Sequence, residues 1–314
     1  MYKRQAISSA LLSQNAIVRF FFNKGNQFIP AALQAFQLKS VPQLLYGAPV
    51  WIEVANSELD CSISKFLRKI LGIPNSIRLS TIALELGIHL PSTSAWISTF
   101  KFWLKLHLNS HPTSILYDLI RDSHISNWFK LVDAKLSTLD LSPETLADLD
   151  LPKAHLIIKS KLLEQETRTL LLNLNPTCSP SYFGLPPLLG HPASYLFHLT
   201  DPRKRRAFLL ARLNIFPSAY HFGRYSNTPR SNRFCPLCFR ESDTVAHILL
   251  RCPSHSALRS SLLHPFLLTL PPSLSDPLPI LLSDYFPTTT HLVAEFLSTI
   301  LMRNHNPHPS QLQF

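Results

Sequence analysis

The stretch Phe234-Cys-Pro-Leu-Cys-Phe-Arg-Glu-Ser-Asp-Thr-Val-Ala-His-Ile-Leu-Leu-Arg-Cys252 decides how this chain is held together. It reads Cys-x2-Cys-x8-His-x4-Cys and carries Cys235, Cys238, His247 and Cys252, three of the five cysteines among them. Thiolates and an imidazole at this spacing are the donors of a structural zinc ion, about four in a tetrahedron. A closed Cys3His set leaves no open position for chemistry, so the expected cofactor is one structural Zn2+. Cysteine is otherwise often a small buried hydrophobe, and the His and third Cys at ligand spacing turn the reading to metal. Pro236 favours a tight turn between the first two thiols. Thr244 to Leu250 reads as a short helix that presents His247 over Val245, Ile248 and Leu249. His255 and His264 are alternative fourth ligands.

Outside this window the fold reads as mainly α. The 314 residues are 46% hydrophobic, enough for a sizeable core. Seven glycines against 26 prolines suggest helices joined by proline-punctuated connectors rather than a Gly-rich nucleotide-binding sheet. The cysteine pattern does not resemble a secreted disulfide framework, so an intracellular, reducing compartment is expected, nuclear or cytoplasmic. Cys61 falls in the apolar rhythm of a helix and reads as core, whereas Cys178 sits in a Pro/Ser loop. Apolar runs such as 11–22 and 262–270 are broken and too short for a membrane span. The basic start Met1-Tyr-Lys-Arg-Gln is not followed by an unbroken apolar core, so a signal peptide is discounted.

Charge is unevenly spread. The chain carries +11, and residues 201–260 hold eleven basic and three acidic residues. Residues 1–52 hold five basic residues and no acid, and 53–200 are balanced. A basic block beside a metal knuckle is the electrostatic footprint of phosphate-backbone binding. RNA or DNA is therefore the expected partner, met by Arg203, Lys204, Arg205, Arg206, Arg212, Arg224, Arg230 and Arg233. The competing reading is a solvated surface without a partner. The run Pro202-Arg-Lys-Arg-Arg206 also fits a nuclear signal.

Along the chain, helical periodicity runs over 3–22, 31–45 with a kink at Pro42, 53–71 stopped by Gly72, and 80–86 before Gly87. It continues over 92–108, 144–149, 153–174 and 207–216, the last with Asp201 as its cap, and ends with 291–303. Trp96, Phe100, Trp103 and Leu104 form a stripe that suits a core face better than a base-stacking one. The Pro/Gly/Ser-rich stretch 175–193 reads as a linker. The segments are then 1–110, a helical connector 111–174, a Pro-rich linker 175–200, a basic zinc-binding module 201–260 and a helical tail 261–314.

Several catalytic signatures are missing from the sequence. No two aspartates are adjacent, and two-metal polymerases need clustered carboxylates. There is no phosphate-binding Gly-x-x-x-x-Gly-Lys loop and no Gly-x-Ser-x-Gly elbow. The chain is expected not to be an enzyme.

Six phrases carry a family resemblance. Ala211-Arg-Leu-Asn-Ile-Phe-Pro-Ser-Ala219, Gly223-Arg-Tyr-Ser-Asn-Thr-Pro229 and Arg233-Phe-Cys-Pro-Leu-Cys238 lead into Val245-Ala-His-Ile-Leu-Leu-Arg-Cys252. Together they resemble the zinc-binding region that follows the polymerase in non-LTR (LINE-type) retrotransposon reverse transcriptases. Val41-Pro-Gln-Leu-Leu-Tyr-Gly-Ala-Pro-Val-Trp51 and Ser64-Lys-Phe-Leu-Arg-Lys-Ile-Leu-Gly72 are similar to the thumb and the segment after it. The resemblance implies a helical, thumb-like region over 1–110 and zinc ligation by Cys235, Cys238, His247 and Cys252. It also implies a nucleic-acid context without the fingers and palm, whose catalytic aspartates are not in this sequence. The chain then reads as the C-terminal part of an element's polyprotein, translated from an internal Met. The alternative is a protein-interaction remnant, docking on the missing palm or another protein, or a non-functional product of a degenerate element.

Overall fold

Apolar residues at three- and four-residue spacing produce helices throughout. The computed structural model describes residues 2–22, 28–52, 56–109, 123–174, 189–271 and 273–304. Among them the architecture is mainly α-helical, with one isolated antiparallel bridge, Phe234 to Ser242, and no strand. No helix of the described residues is long and apolar enough to cross a membrane. Two compact units form. The first comprises Met1–Phe20, Ala31–Lys69 and His89–Asn173; the second comprises Phe21–Pro30, Ile70–Ile88 and Leu174–Phe314.

In the first unit the long helix Tyr2–Phe22 covers the first periodic segment. The second periodic segment does not run through as one α-helix. Ile29–Ala35 is α-helical, Phe36–Ser40 opens into a π-turn in which Val41 N–H reaches Phe36 O, and Val41–Leu44 resumes. Pro42 is the cause: it has no N–H to offer the preceding turn and its ring crowds the carbonyl four residues back, so the ladder widens there. Gly47, at φ 66°, turns the chain into Ala48–Trp51. The helix Pro91–Asn109 packs against Leu151–Leu172 and Ala48–Trp51. Its Trp96, Phe100, Trp103 and Leu104 are all buried, so the aromatic stripe is core. Lys101 and Lys105 stay exposed.

Two carboxylates fix the start of that helix from outside it. Asp60 accepts from Ser92 N–H at 3.0 Å and from the Ser92 hydroxyl at 2.8 Å. Glu166 accepts from Leu90 N–H at 2.6 Å and bonds His89 Nδ1 at 2.7 Å. They supply the capping acceptors that a helix beginning with Pro91 cannot find locally. Asp150 caps Leu151–Leu172 by accepting from Lys153 N–H at 2.8 Å. Cys61, expected as core, is exposed on the helix Asn56–Leu71, because Leu59, Ile63, Phe66 and Leu67 fill the inward positions.

In the second unit Pro202–Arg212 packs on Pro287–Asn304, which also meets Ser256–Leu262. Asp201 accepts from Arg203 N–H at 2.8 Å and Pro202 occupies the first turn, as its sequence suggests. Leu79–Leu86 stops at Gly87, whose φ of 59° suits glycine. A Cβ at Gly87 would also stand 2.2 Å from the His191 backbone. Residues 175–188 lie outside the described residues, Cys178 with them. The described end of the expected linker is built into the core. Gly190 N–H bonds Gly87 O, Ala193 N–H bonds Glu85 O, and Tyr195, Leu196 and Leu199 are buried.

Candidate metal centre

The knuckle is shaped by backbone before it is shaped by side chains. Cys235 N–H donates to Glu241 O at 2.8 Å and Asp243 N–H to Arg233 O at 3.0 Å, closing a narrow loop around the Phe234–Ser242 bridge. Phe239 N–H returns to Cys235 O at 2.9 Å, with Phe239 in the left-handed region at φ 55°. This turn brings Cys235 and Cys238 to one side. The next segment enters a single widened turn, His247–Arg251, in which Cys252 N–H reaches His247 O at 2.7 Å. Val245, Ile248 and Leu249 are buried beneath it, the packing that the spacing predicts.

Cys235, Cys238, His247 and Cys252 converge, with one donor atom from each lying within 4.8 Å of all the others. This cluster can hold one metal ion. Cys235 Sγ stands 3.8 Å from Cys252 Sγ, nearly twice a disulfide bond, and Cys238 Sγ stands 3.3 Å from His247 Nε2. The other two histidines considered as ligands are not in the cluster. His255 is buried with its ring against Phe296, and His264 opens the short helix His264–Leu267.

Burial pushes the Cys235 thiol up to about 12, only partly offset by N–H groups of Leu237 and Cys238. Cys238 shifts the other way, because the Arg240 N–H points at its sulfur. A dication among these sulfurs would reverse the first effect, since a coordinating thiol loses its proton outright. The remaining imidazole nitrogen, His247 Nδ1, faces Glu241 Oε2 at 3.3 Å, and Arg251 Nε holds the same oxygen at 2.7 Å. The bond from Arg251, with a smaller contribution from His247, holds the Glu241 carboxyl below its usual range. Such a carboxylate fixes which ring nitrogen is free to bind a metal.

Sequence reasoning missed Arg259. Its Nε donates to Leu249 O at 2.7 Å and its Nη2 to Cys252 O at 2.9 Å, tying down the carbonyls left over by the widened turn. The signal was a basic residue shortly after a helical segment, where it can bond the last carbonyls.

The eight basic residues expected to meet nucleic acid divide by burial. Arg203, Arg206, Arg224 and Arg230 are exposed, Arg206 with its guanidinium over Gly72. Lys204 is half-buried and ion-paired with Glu295. Arg233 is committed to Thr228 O and Tyr220 O, and its guanidinium lies 5.6 Å from the Tyr220 ring centre. Arg205 and Arg212 point inward, which corrects the expectation for these two. Arg205 donates to Leu199 O from both Nε and Nη2, and Arg212 pairs with Glu85. Sequence position on an amphipathic helix did not distinguish them: Arg205 bonds a carbonyl six residues back in the chain, whereas Arg212 is neutralised by a carboxylate far away in sequence.

No protein-family model matches the chain, no curated protein matches it, and no solved structure matches its fold.

Proposed function

We propose that this chain is a zinc-stapled nucleic-acid-binding protein without a catalytic centre of its own, related to the region after the polymerase in LINE-type reverse transcriptases. The observation that carries the reading is the spacing of the donor atoms. A tetrahedral zinc with Zn–S of about 2.3 Å and Zn–N of about 2.0–2.1 Å has S···S edges of about 3.8 Å and S···N edges of about 3.5 Å. The cluster offers 3.8 Å for Cys235 to Cys252 and 3.3 Å for Cys238 to His247. Soft thiolates with one imidazole favour zinc among common divalent ions, and four protein donors leave no position for water or substrate. The zinc is therefore structural: it holds the knuckle and with it the basic surface.

The exposed side chains of Arg203, Arg224 and Arg230 support phosphate contact, and such binding is largely sequence-independent and weakens with salt. The absence of catalysis is proposed from how the inner carboxylates are used. Asp60, Glu85, Glu166, Asp243 and Asp284 each accept hydrogen bonds from the fold itself.

Elemental mass spectrometry of purified protein tests the reading first, with about one zinc per chain expected. Binding of a labelled RNA or DNA, weakening as salt rises and lost in a Cys235→Ser/Cys238→Ser variant, is the second expectation. A protein free of zinc that keeps its fold overturns it. One observation favours a protein-interaction reading instead: in the first unit Leu12, Phe20, Leu38 and Val50 are all more than two-thirds exposed. That reading expects self-association or partner binding, with little response of RNA binding to salt.

A further inference from the structure

The surface of the knuckle is more aromatic than phosphate binding requires. Phe234 is 46% and Phe239 75% exposed, and Tyr225 is 63% exposed. A small basic module has no use for solvent-facing rings of this size in its own packing, since Val245, Ile248 and Leu249 already form its apolar floor. The rings are also held by the metal loop. Phe234 sits on the bridge to Ser242 and immediately precedes the first thiol ligand. Phe239 immediately follows the second, and its N–H bond to Cys235 O folds it back beside the Cys235–Pro236 peptide. Its left-handed backbone is a conformation that a bulky residue adopts at a cost and that Asn or Gly would adopt freely.

Cations interleave with these rings. Arg224 and Arg240 are exposed on either side of them in sequence, and Arg224 is stacked 5.7 Å from the Tyr220 ring centre. Arg233 lies against the same Tyr220 ring at 5.6 Å and is followed in the chain by Phe234. Stacking pre-orients the Arg224 guanidinium, whereas Arg233 spends its N–H groups on Thr228 O and Tyr220 O and serves to fix the ring. The charge of the segment, eleven basic residues against three acidic over 201–260, specifies a polyanion as the occupant.

From these observations we infer that the knuckle recognises single-stranded nucleic acid: unpaired bases stack on Phe239 and Phe234 while Arg224 and Arg240 hold the flanking phosphates. Bases in a duplex have their faces covered and are denied to these rings, whereas every unpaired base offers one. The inference rests on the nucleic-acid reading above and narrows it to the strand class.

Fluorescence anisotropy of the zinc-loaded full chain tests it, with a 20-residue single-stranded oligonucleotide and a duplex of the same length as probes. Tighter binding of the single strand is expected. Phe239→Asn keeps the left-handed backbone and removes the ring, so it and Phe234→Ala should each weaken single-strand binding by about 5- to 100-fold. Phe239→Tyr should bind as the parent does. Zinc content and the salt dependence should not change in any of the three, which separates loss of stacking from loss of fold. Equal affinity for both probes, unmoved by the ring substitutions, overturns the inference and leaves phosphate binding standing. Failure of the zinc-loaded parent to bind either probe overturns the nucleic-acid reading itself. Self-association abolished by Phe239→Asn without oligonucleotide binding assigns the rings to a protein partner and overturns both.

Discussion

Glu85 and Arg212 meet fork to fork in the interior of the second unit, Nε 2.8 Å from Oε1 and Nη2 3.1 Å from Oε2. Both side chains are buried, and neither charge is left to the other alone. Tyr195 donates its hydroxyl to Glu85 Oε1, Arg212 Nη1 donates to Leu282 O, and Arg212 stacks on the Tyr195 ring. Asp284, 3.5 Å from the same nitrogen, accepts from Ser194 N–H. The pair therefore ties Leu79–Leu86, Pro202–Arg212 and the segments around 195 and 283 into one network.

Breaking that pair from one side strands a buried charge. Glu85→Gln or Arg212→Met should each cost about 3–5 kcal/mol in urea unfolding. The double variant should recover part of that loss, because both charges are then gone. Losses that simply add in the double variant would show that the two side chains are not coupled.

The helices were legible because their signals are local: Asp201 with Pro202 opens one helix, and Gly72 and Gly87 close two others at φ 62° and 59°. The four clustered donors were legible for the same reason, since ligand spacing is a short-range pattern. What sequence hid was settled by the folding of the chain. Arg212 looks like its exposed neighbours until Glu85, 127 residues away, is brought to it, and Arg205 until the turn just before its helix sets Leu199 O against it. Cys61 looked inward because it falls in the apolar rhythm of its helix, yet Leu59 and Ile63 take the core positions. The widened turn at 36–40 follows from Pro42, but whether a proline kinks, breaks or widens a helix depends on the packing around it.

Glu241 should matter to metal affinity although it is no ligand. Its carboxylate faces His247 Nδ1 and is itself held by Arg251. Glu241→Ala should weaken zinc binding by about 10- to 100-fold in a chelator competition. Arg251→Ala should have a smaller effect in the same direction, as it leaves the carboxylate in reach of the ring. An unchanged affinity in Glu241→Ala would show that His247 is oriented by its backbone alone.

Gly87 has no tolerance for a side chain. Gly87→Ala would force Ala into a left-handed backbone and set its Cβ against the His191 main chain, which cannot rotate away as a side chain could. A loss of stability above about 2 kcal/mol is expected, the overpacking and the strain acting together. A thermal melt of the variant within a degree of the parent would contradict the packing of 190–193 on this turn.

Asp60 gives the first unit a pH dependence of unusual sign for a carboxylate. Burial raises its carboxyl to about 6, against the opposing bonds from Ser92, and Glu166 adds to the rise. The folded state therefore favours the protonated form more than the unfolded chain does. Its contribution is fully present below about pH 4 and is lost as pH rises through about 6. At pH 7 the ionised group should cost on the order of 2–3 kcal/mol relative to a neutral one. Asp60→Asn keeps an acceptor for Ser92 N–H and removes the charge. Subtracting its stability from that of the parent at each pH isolates this one group. The difference should grow in favour of Asn between pH 4 and 7 and be flat above. A difference that shrinks over that interval would mean that the Ser92 bonds outweigh burial, and that Asp60 caps its helix as a fully ionised carboxylate.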